Sequence, residues 1–157
     1  MAGLEDLYRE IILDHYRNPR NRGELPSPPA HRVEGFNPLC GDEIVVYLDV
    51  DDGRITDVKI SGQGCSISQS SASMMSAAVK NKTVNEARSL IRAFKAMMSI
   101  HEHRLDGEDG LGEERDPEVK LGDLEALQGV VKFPVRIKCA TLSWNTLAQG
   151  LDEAAAS

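Results

Sequence analysis

Gly62-Gln63-Gly64-Cys65-Ser66-Ile67-Ser68-Gln69-Ser70-Ser71-Ala72-Ser73-Met74-Met75 is a glycine turn that joins two different patterns. Before it, Arg54 to Ser61 is a β-rich run; after it, Ser66 to about Lys80 is rich in Ala, Ser and Met, as a closely packed helix would be. Cys65 stands at the junction. Glycines on both sides of Gln63 allow positive φ and a close approach of backbone to a bound atom. The helix that follows offers unpaired N–H groups and the positive end of its dipole, both of which favour a thiolate. A buried structural cysteine needs none of this.

Upstream of that turn, Ile44 to Val50 is a second β-rich run, joined to the first by Asp51-Asp52-Gly53, and the two read as an antiparallel hairpin. In a hairpin the start of one strand lies beside the end of the next. The pairing therefore gathers Cys40, Asp42 and Cys65 at one end of the sheet. Asn37-Pro38-Leu39-Cys40-Gly41-Asp42 is a turn by composition, and His31 to Phe36 reads as a short edge strand. Further back, Leu4, Leu7, Tyr8 and Ile11 recur at helical spacing, with Glu5, Asp6, Arg9 and Glu10 on the other face. This first helix stops at Asn18 to Gly23, where Pro19 forbids continuation, and Leu25 to Ala30 is a proline-rich extended linker.

Downstream, a helix from Val84 to about Ser99 opens on a capping box, with Thr83 as N-cap and Glu86 three residues on. His101 to Glu118 holds eight acidic residues and three glycines without apolar period, which predicts a solvated, mobile acidic insertion. Leu121 to Leu127 reads as a short helix. The last helix opens at Phe133-Pro134, and Ile137, Ala140, Trp144, Leu147 and Leu151 mark its buried stripe. Cys139 falls about 200° around the helix from Ile137, off that stripe. Arg136 lies one turn behind it and Ser143 one turn ahead. The expectation is that Cys139 is not a core cysteine and that Arg136 is aimed at whatever Cys139 touches.

The chain's 157 residues suit one domain, 1–157, carrying the acidic insertion at about 101–120. Its net charge of -7 and pI near 5.1 argue against nucleic acid or an anionic membrane as partner and suit a basic protein instead. No apolar run approaches the roughly 18 residues of a membrane span, and the amphipathic Leu4 to Arg17 lacks a signal-peptide core, so a cytoplasmic location is expected. Three cysteines cannot all pair internally, and in a reducing compartment metal binding or reactivity is favoured over bridging.

Cys40, Asp42, Cys65 and Cys139 together offer three thiolates and one carboxylate. Soft thiolates suit zinc, ferrous iron and iron–sulfur clusters, and the harder carboxylate is a natural ligand for displacement. The competing reading is three unrelated cysteines with Asp42 an ordinary turn aspartate. Among the histidines, His15 falls on the apolar face of the first helix, as a hydrogen-bonded core or interface residue would, and His31 is expected in solvent. His101 and His103 sit in the acidic insertion, where ordering entropy counts against ligation. A cysteine hydrolase needs a histidine base beside its nucleophile, and none stands at a suitable position.

Leu7-Tyr8-Arg9 with Asp14-His15-Tyr16 and Pro19 to Gly23, then Asn37 to Asp42, Gly62 to Ser68 and Phe133 to Ala140, resemble the IscU/NifU N-terminal-type family of iron–sulfur cluster assembly proteins over nearly the whole chain. The SufU branch is the nearer one. IscU-type proteins have histidine directly before the last cysteine, where this chain has Lys138, and SufU-type proteins carry an insertion like His101 to Lys120. The resemblance implies an α+β fold, a small antiparallel sheet of about three strands packed on several helices, and a zinc site of Cys40, Asp42, Cys65 and Cys139. It implies a pyridoxal-phosphate (PLP) cysteine desulfurase as partner, persulfide sulfur accepted on Cys40, and delivery to downstream iron–sulfur assembly proteins. By the same carry-over Arg136 helps that partner displace Cys40 from the metal, and the chain acts as a sulfurtransferase-like co-substrate. The alternative it leaves is a scaffold for iron or a [2Fe-2S] cluster on the same ligands.

Overall fold

The computed structural model describes residues 4–26, 30–38, 41–105, 122–132 and 134–156. Helix α1 (Leu4–Arg17) precedes strands β1 (His31–Asn37), β2 (Asp42–Asp51) and β3 (Arg54–Gln63), then helices α2 (Ser66–Val79) and α3 (Val84–Leu105), a 3₁₀ helix (Gly122–Lys132) and α4 (Pro134–Ala156). This is the α+β arrangement expected.

The strands form one antiparallel sheet in the order β1-β2-β3. Asp51 pairs with Arg54 around the two-residue loop Asp52-Gly53, whose φ values of 52° and 76° are those of a type I′ turn. The register slips once, between Asp49 and Val50, so that Asp49 faces Asp57 and Val50 faces Ile55. Asn37 to Asp42, expected as a turn, has both its ends inside strands: Asn37 faces Asp42 as the last pair of the β1/β2 ladder. The free edge of β3 is covered by the chain after α1, through Gly23 N–H to Ile60 O and Ile60 N–H to Asn21 O, both at 2.9 Å.

One sheet face supplies Val33, Ile44, Val46, Leu48, Val58 and Ile60 to the apolar core, which α2, α3 and α4 complete. Trp144 stacks on Phe94 within it, with ring centroids 4.6 Å apart. Helix α2 is hemmed in so closely that Ser68, Ser70, Ser71, Ser73 and Ser76 are all buried. Each is hydrogen-bonded, as burial demands: Ser68 Oγ to Cys65 O, Ser70 Oγ to Ile12 O, Ser71 Oγ to Ala140 O and Ser76 Oγ to Arg20 O, while Ser73 Oγ accepts from Arg20 N–H and meets His15 Nδ1 at 2.8 Å. His15 is the buried, hydrogen-bonded histidine expected.

Other features also differ from expectation. Helix α3 runs to Leu105, because His101 to Leu105 contains no glycine or proline to stop it; these five residues, with His101 and His103, extend the helix, and 106–121 lie outside the described residues. The short helix expected from Leu121 to Leu127 is a 3₁₀ helix reaching Lys132, since buried side chains continue past Leu127 to Val130. His31 is half-buried and paired with Glu153 at 3.1 Å, because the far end of α4 lies over β1. Among the described residues, no helix is long and apolar enough to cross a membrane.

Candidate metal centre

Helix α4 begins at Pro134, whose missing N–H costs nothing in a first turn. It buries two stripes. One is the apolar stripe of Ala140, Trp144, Leu147 and Leu151, directed at the helices, with Ser71 Oγ accepting from Trp144 Nε1. The other is Cys139, Ser143, Thr146 and Gly150, which faces the sheet. A Cβ on Gly35 would collide with Thr146 Oγ1, and one on Gly150 would lie 2.9 Å from both Val33 and Leu48 side-chain carbons, so helix and sheet approach as closely as their backbones allow. That approach corrects the expectation for Cys139. Its side chain is off the apolar stripe and outside the contiguous core cluster, yet it is fully buried because the sheet covers it.

At the end of this second stripe, α4 meets the ends of the strands and the start of α2. Asp42, Cys65 and Cys139 each direct one donor atom to a common point, with the three atoms within 4.8 Å of one another. Asp42 is completely buried, and its Oδ1 accepts from Cys65 N–H at 2.9 Å while Oδ2 stands 4.0 Å from Cys65 Sγ. Cys65 is the N-cap of α2, in extended conformation, so its side chain stands in front of the open helix end. Neither flanking glycine has room for a side chain: Gly62 takes positive φ, at 116°, and a Cβ there would collide with the Glu43 carbonyl oxygen, while a Cβ on Gly64 would lie 2.5 Å from both Asp42 Oδ1 and Ser68 Oγ. Asn37, buried opposite Asp42, donates from Nδ2 toward Cys139 Sγ at 3.9 Å.

Arg136, on the exposed surface of the first α4 turns, lies beside the two cysteines. The charge on Cys65, then that on Cys139, together with hydrogen bonds to both, hold its guanidinium above the usual arginine range. The expectation that Arg136 points where Cys139 points is met. Cys40 lies outside the described residues. Asn37 carries no signal in the sequence, because its place opposite Asp42 depends on the β1/β2 register, and Ser143 shows there only as a neighbour of Cys139.

Two cysteine sulfurs and a carboxylate, converging with Asp42 and Cys139 buried and Cys65 half-buried, are a donor set for a tetrahedral, borderline-soft cation. Zinc bonds of about 2.0–2.3 Å place neighbouring ligands roughly 3.3–3.8 Å apart, so the three atoms need contract by only about 1 Å. The residues fit such an ion, with one position left for a further ligand.

Residues 7–140 match the model of the NifU-like N-terminal domain. The chain belongs to that family. It is 47% identical over 150 residues, 96% of its length and 92% of the other, to the zinc-dependent sulfurtransferase SufU of Bacillus subtilis strain 168. It is 37% identical over 155 residues, 99% of its length and 89% of the other, to the iron-sulfur cluster assembly scaffold protein IscU of Streptococcus pyogenes serotype M1. Among solved structures it resembles FiSufU, a SUF-system protein of Fervidobacterium islandicum AW-1, with TM-score 0.77 and 35% identity over 95% of this chain and 99% of that one. The fold alone is shared with a NifU-like protein of Brucella abortus, at TM-score 0.79 and 24% identity, over 99% of each chain. The resemblance read from the motifs therefore holds.

Proposed function

We propose that this protein is a zinc-dependent acceptor that takes persulfide sulfur from a PLP-dependent cysteine desulfurase and passes it on for iron–sulfur cluster assembly. The observation that carries the reading is the convergence of Asp42, Cys65 and Cys139 beside Arg136. The 47% identity to a zinc-dependent sulfurtransferase supports it, as does Lys138 before the last cysteine. Asp42, Cys65 and Cys139 hold the ion, and Cys40 is its fourth ligand and the acceptor thiol.

Bound zinc keeps its cysteines deprotonated and lowers their nucleophilicity. An acceptor must therefore leave the metal to react. The terminal sulfur of the partner's cysteine persulfide is attacked by the released Cys40 thiolate: a new S–S bond forms, the partner's S–S bond breaks, and its cysteine departs as thiolate. The transfer needs no outside oxidant or reductant. In this reading Arg136, which lies beside Cys65 and Cys139, receives negative charge while a partner ligand exchanges with Cys40, which ties release of the thiol to docking.

A second reading, a scaffold that builds a [2Fe-2S] cluster on the same ligands, is supported by the 37% identity to a scaffold IscU. Metal analysis of protein purified without added iron, paired with a desulfurase assay, separates the two. About one zinc per chain, strong stimulation of desulfurase turnover, and loss of that stimulation in folded Cys40→Ser protein are the expected results. Iron with cluster absorbance and little stimulation would select the scaffold.

A further inference from the structure

Ser143 is 1% exposed, and among the described residues its hydroxyl is a buried side-chain oxygen with no hydrogen-bond partner. A buried polar group in that condition calls for an explanation. The five buried serines of α2 are all bonded, and so are the other hydroxyls of α4: Thr141 Oγ1 donates to Ile137 O at 3.0 Å and Thr146 Oγ1 to Leu142 O at 2.8 Å. Both threonines use the carbonyl one turn back, the usual refuge of a helical hydroxyl. Ser143 does not, although the same carbonyl position is offered to it.

Its place in the second stripe of α4 shows what lies before it. Thr146 packs at Gly35, and Cys139 lies at Asn37 within the triad, so Ser143 lies between them on the sheet-facing side. Helical side chains lean toward the amino terminus of their helix, which tips a residue at i+4 over the residue at i. For Ser143 that residue is Cys139. A neutral thiol is a weak acceptor, whereas a thiolate is a strong one.

We propose that Ser143 is a positioning residue for the metal centre, its hydroxyl donating to the Cys139 thiolate once a metal has fixed that sulfur. The inference rests on the metal-binding reading of Asp42, Cys65 and Cys139. With Asn37 Nδ2 on another side, Cys139 then has two neutral donors that orient it and draw charge from the sulfur. The hydroxyl that lacks a partner among the described residues is then satisfied.

Ser143→Ala in the full chain tests this with Co²⁺ as the probe, through three readouts: Co²⁺ affinity against a competing chelator, the near-ultraviolet thiolate-to-cobalt charge-transfer band, and thermal unfolding of the metal-free protein. Removing an unbonded hydroxyl should leave the metal-free melting temperature unchanged or raised. Co²⁺ affinity should fall about tenfold, and the charge-transfer band should move to lower energy as the sulfur loses its donor. An unchanged affinity and band, or a metal-free melting temperature that falls along with the affinity, would overturn the inference. Wild-type protein that fails to take up one Co²⁺ per chain would instead overturn the metal-binding reading itself, and this inference with it.

Discussion

The main chain of Cys65 holds the side chain of Asp42: its N–H donates to Oδ1 at 2.9 Å, and its Sγ stands 4.0 Å from Oδ2. One carboxylate oxygen is thus occupied in joining β2 to the start of α2, and the other is left for a cation. The two roles can be separated by substitution. Asp42→Asn keeps an oxygen that can accept from Cys65 N–H, so the metal-free protein should unfold near the wild-type denaturant midpoint while sulfur transfer falls. Asp42→Ala removes the acceptor as well and should cost a further 1–3 kcal/mol or so. Equal unfolding midpoints for the two variants would show that the hydrogen bond does not brace the site.

Gly64 has no room for a methyl group, because both Asp42 Oδ1 and Ser68 Oγ lie 2.5 Å from where it would go. Gly64→Ala should therefore push the carboxylate off its partner and destabilise the fold by about 1–3 kcal/mol, with weaker zinc retention during dialysis against chelator. Retention equal to wild type would mean that α2 shifts as a body and carries Cys65 with it.

Arg136 is exposed and lies next to both cysteines without being a donor to a metal. Arg136→Gln should leave zinc content and melting temperature unchanged while desulfurase stimulation falls about tenfold or more. Arg136→Lys keeps the charge but not the planar fork, and it should recover only part of the loss. A fall in zinc content in step with activity would place Arg136 among the groups that hold the ion.

The capping box of α3 stands apart from the site. Glu86 N–H donates to Thr83 Oγ1 and Thr83 N–H to Glu86 Oε1, both at 3.1 Å. Thr83→Ala should cost about 1 kcal/mol of stability without changing metal content. The backbone hydrogen bond from Thr83, then its side chain, lowers the Glu86 carboxyl below its ordinary value of 4.5. A depressed carboxyl adds stability above its unfolded value, and that stability is lost as pH falls through the folded one. The deficit of Glu86→Gln should accordingly be present at neutral pH and close as acid takes the protein below pH 4.5. A gap that persists in acid would mean that the charge of Glu86 is not what stabilises the cap.

The hairpin around Asp52-Gly53, the capping box, Pro134 and the junction at Cys65 were legible because each is a local signal, set by residues adjacent in sequence. The β1/β2 pairing was not, and Asn37 was lost with it: composition marks Asn37 to Asp42 as a turn but does not say that its ends are a facing pair. The burial of Cys139 is hidden for a different reason. Periodicity counts apolar residues, and the sheet-facing stripe of α4 is built from Cys139, Ser143, Thr146 and Gly150, which are small or polar. Burial by close backbone approach leaves no apolar repeat to read. Gly62 and Gly64 look alike in sequence, and only the fold shows that both clear a space while Gly62 alone of the two also takes a positive φ.

Asp42, Cys65 and Cys139 come from the start of β2, the cap of α2 and the second turn of α4, and nothing covalent joins these parts except long stretches of chain. A cation gripped by all three closes those stretches into loops and so acts as a removable cross-link. The lifetime of the folded chain among proteases should then depend on whether its metal is in place, and molecules that lose it would be cleared before they meet a partner.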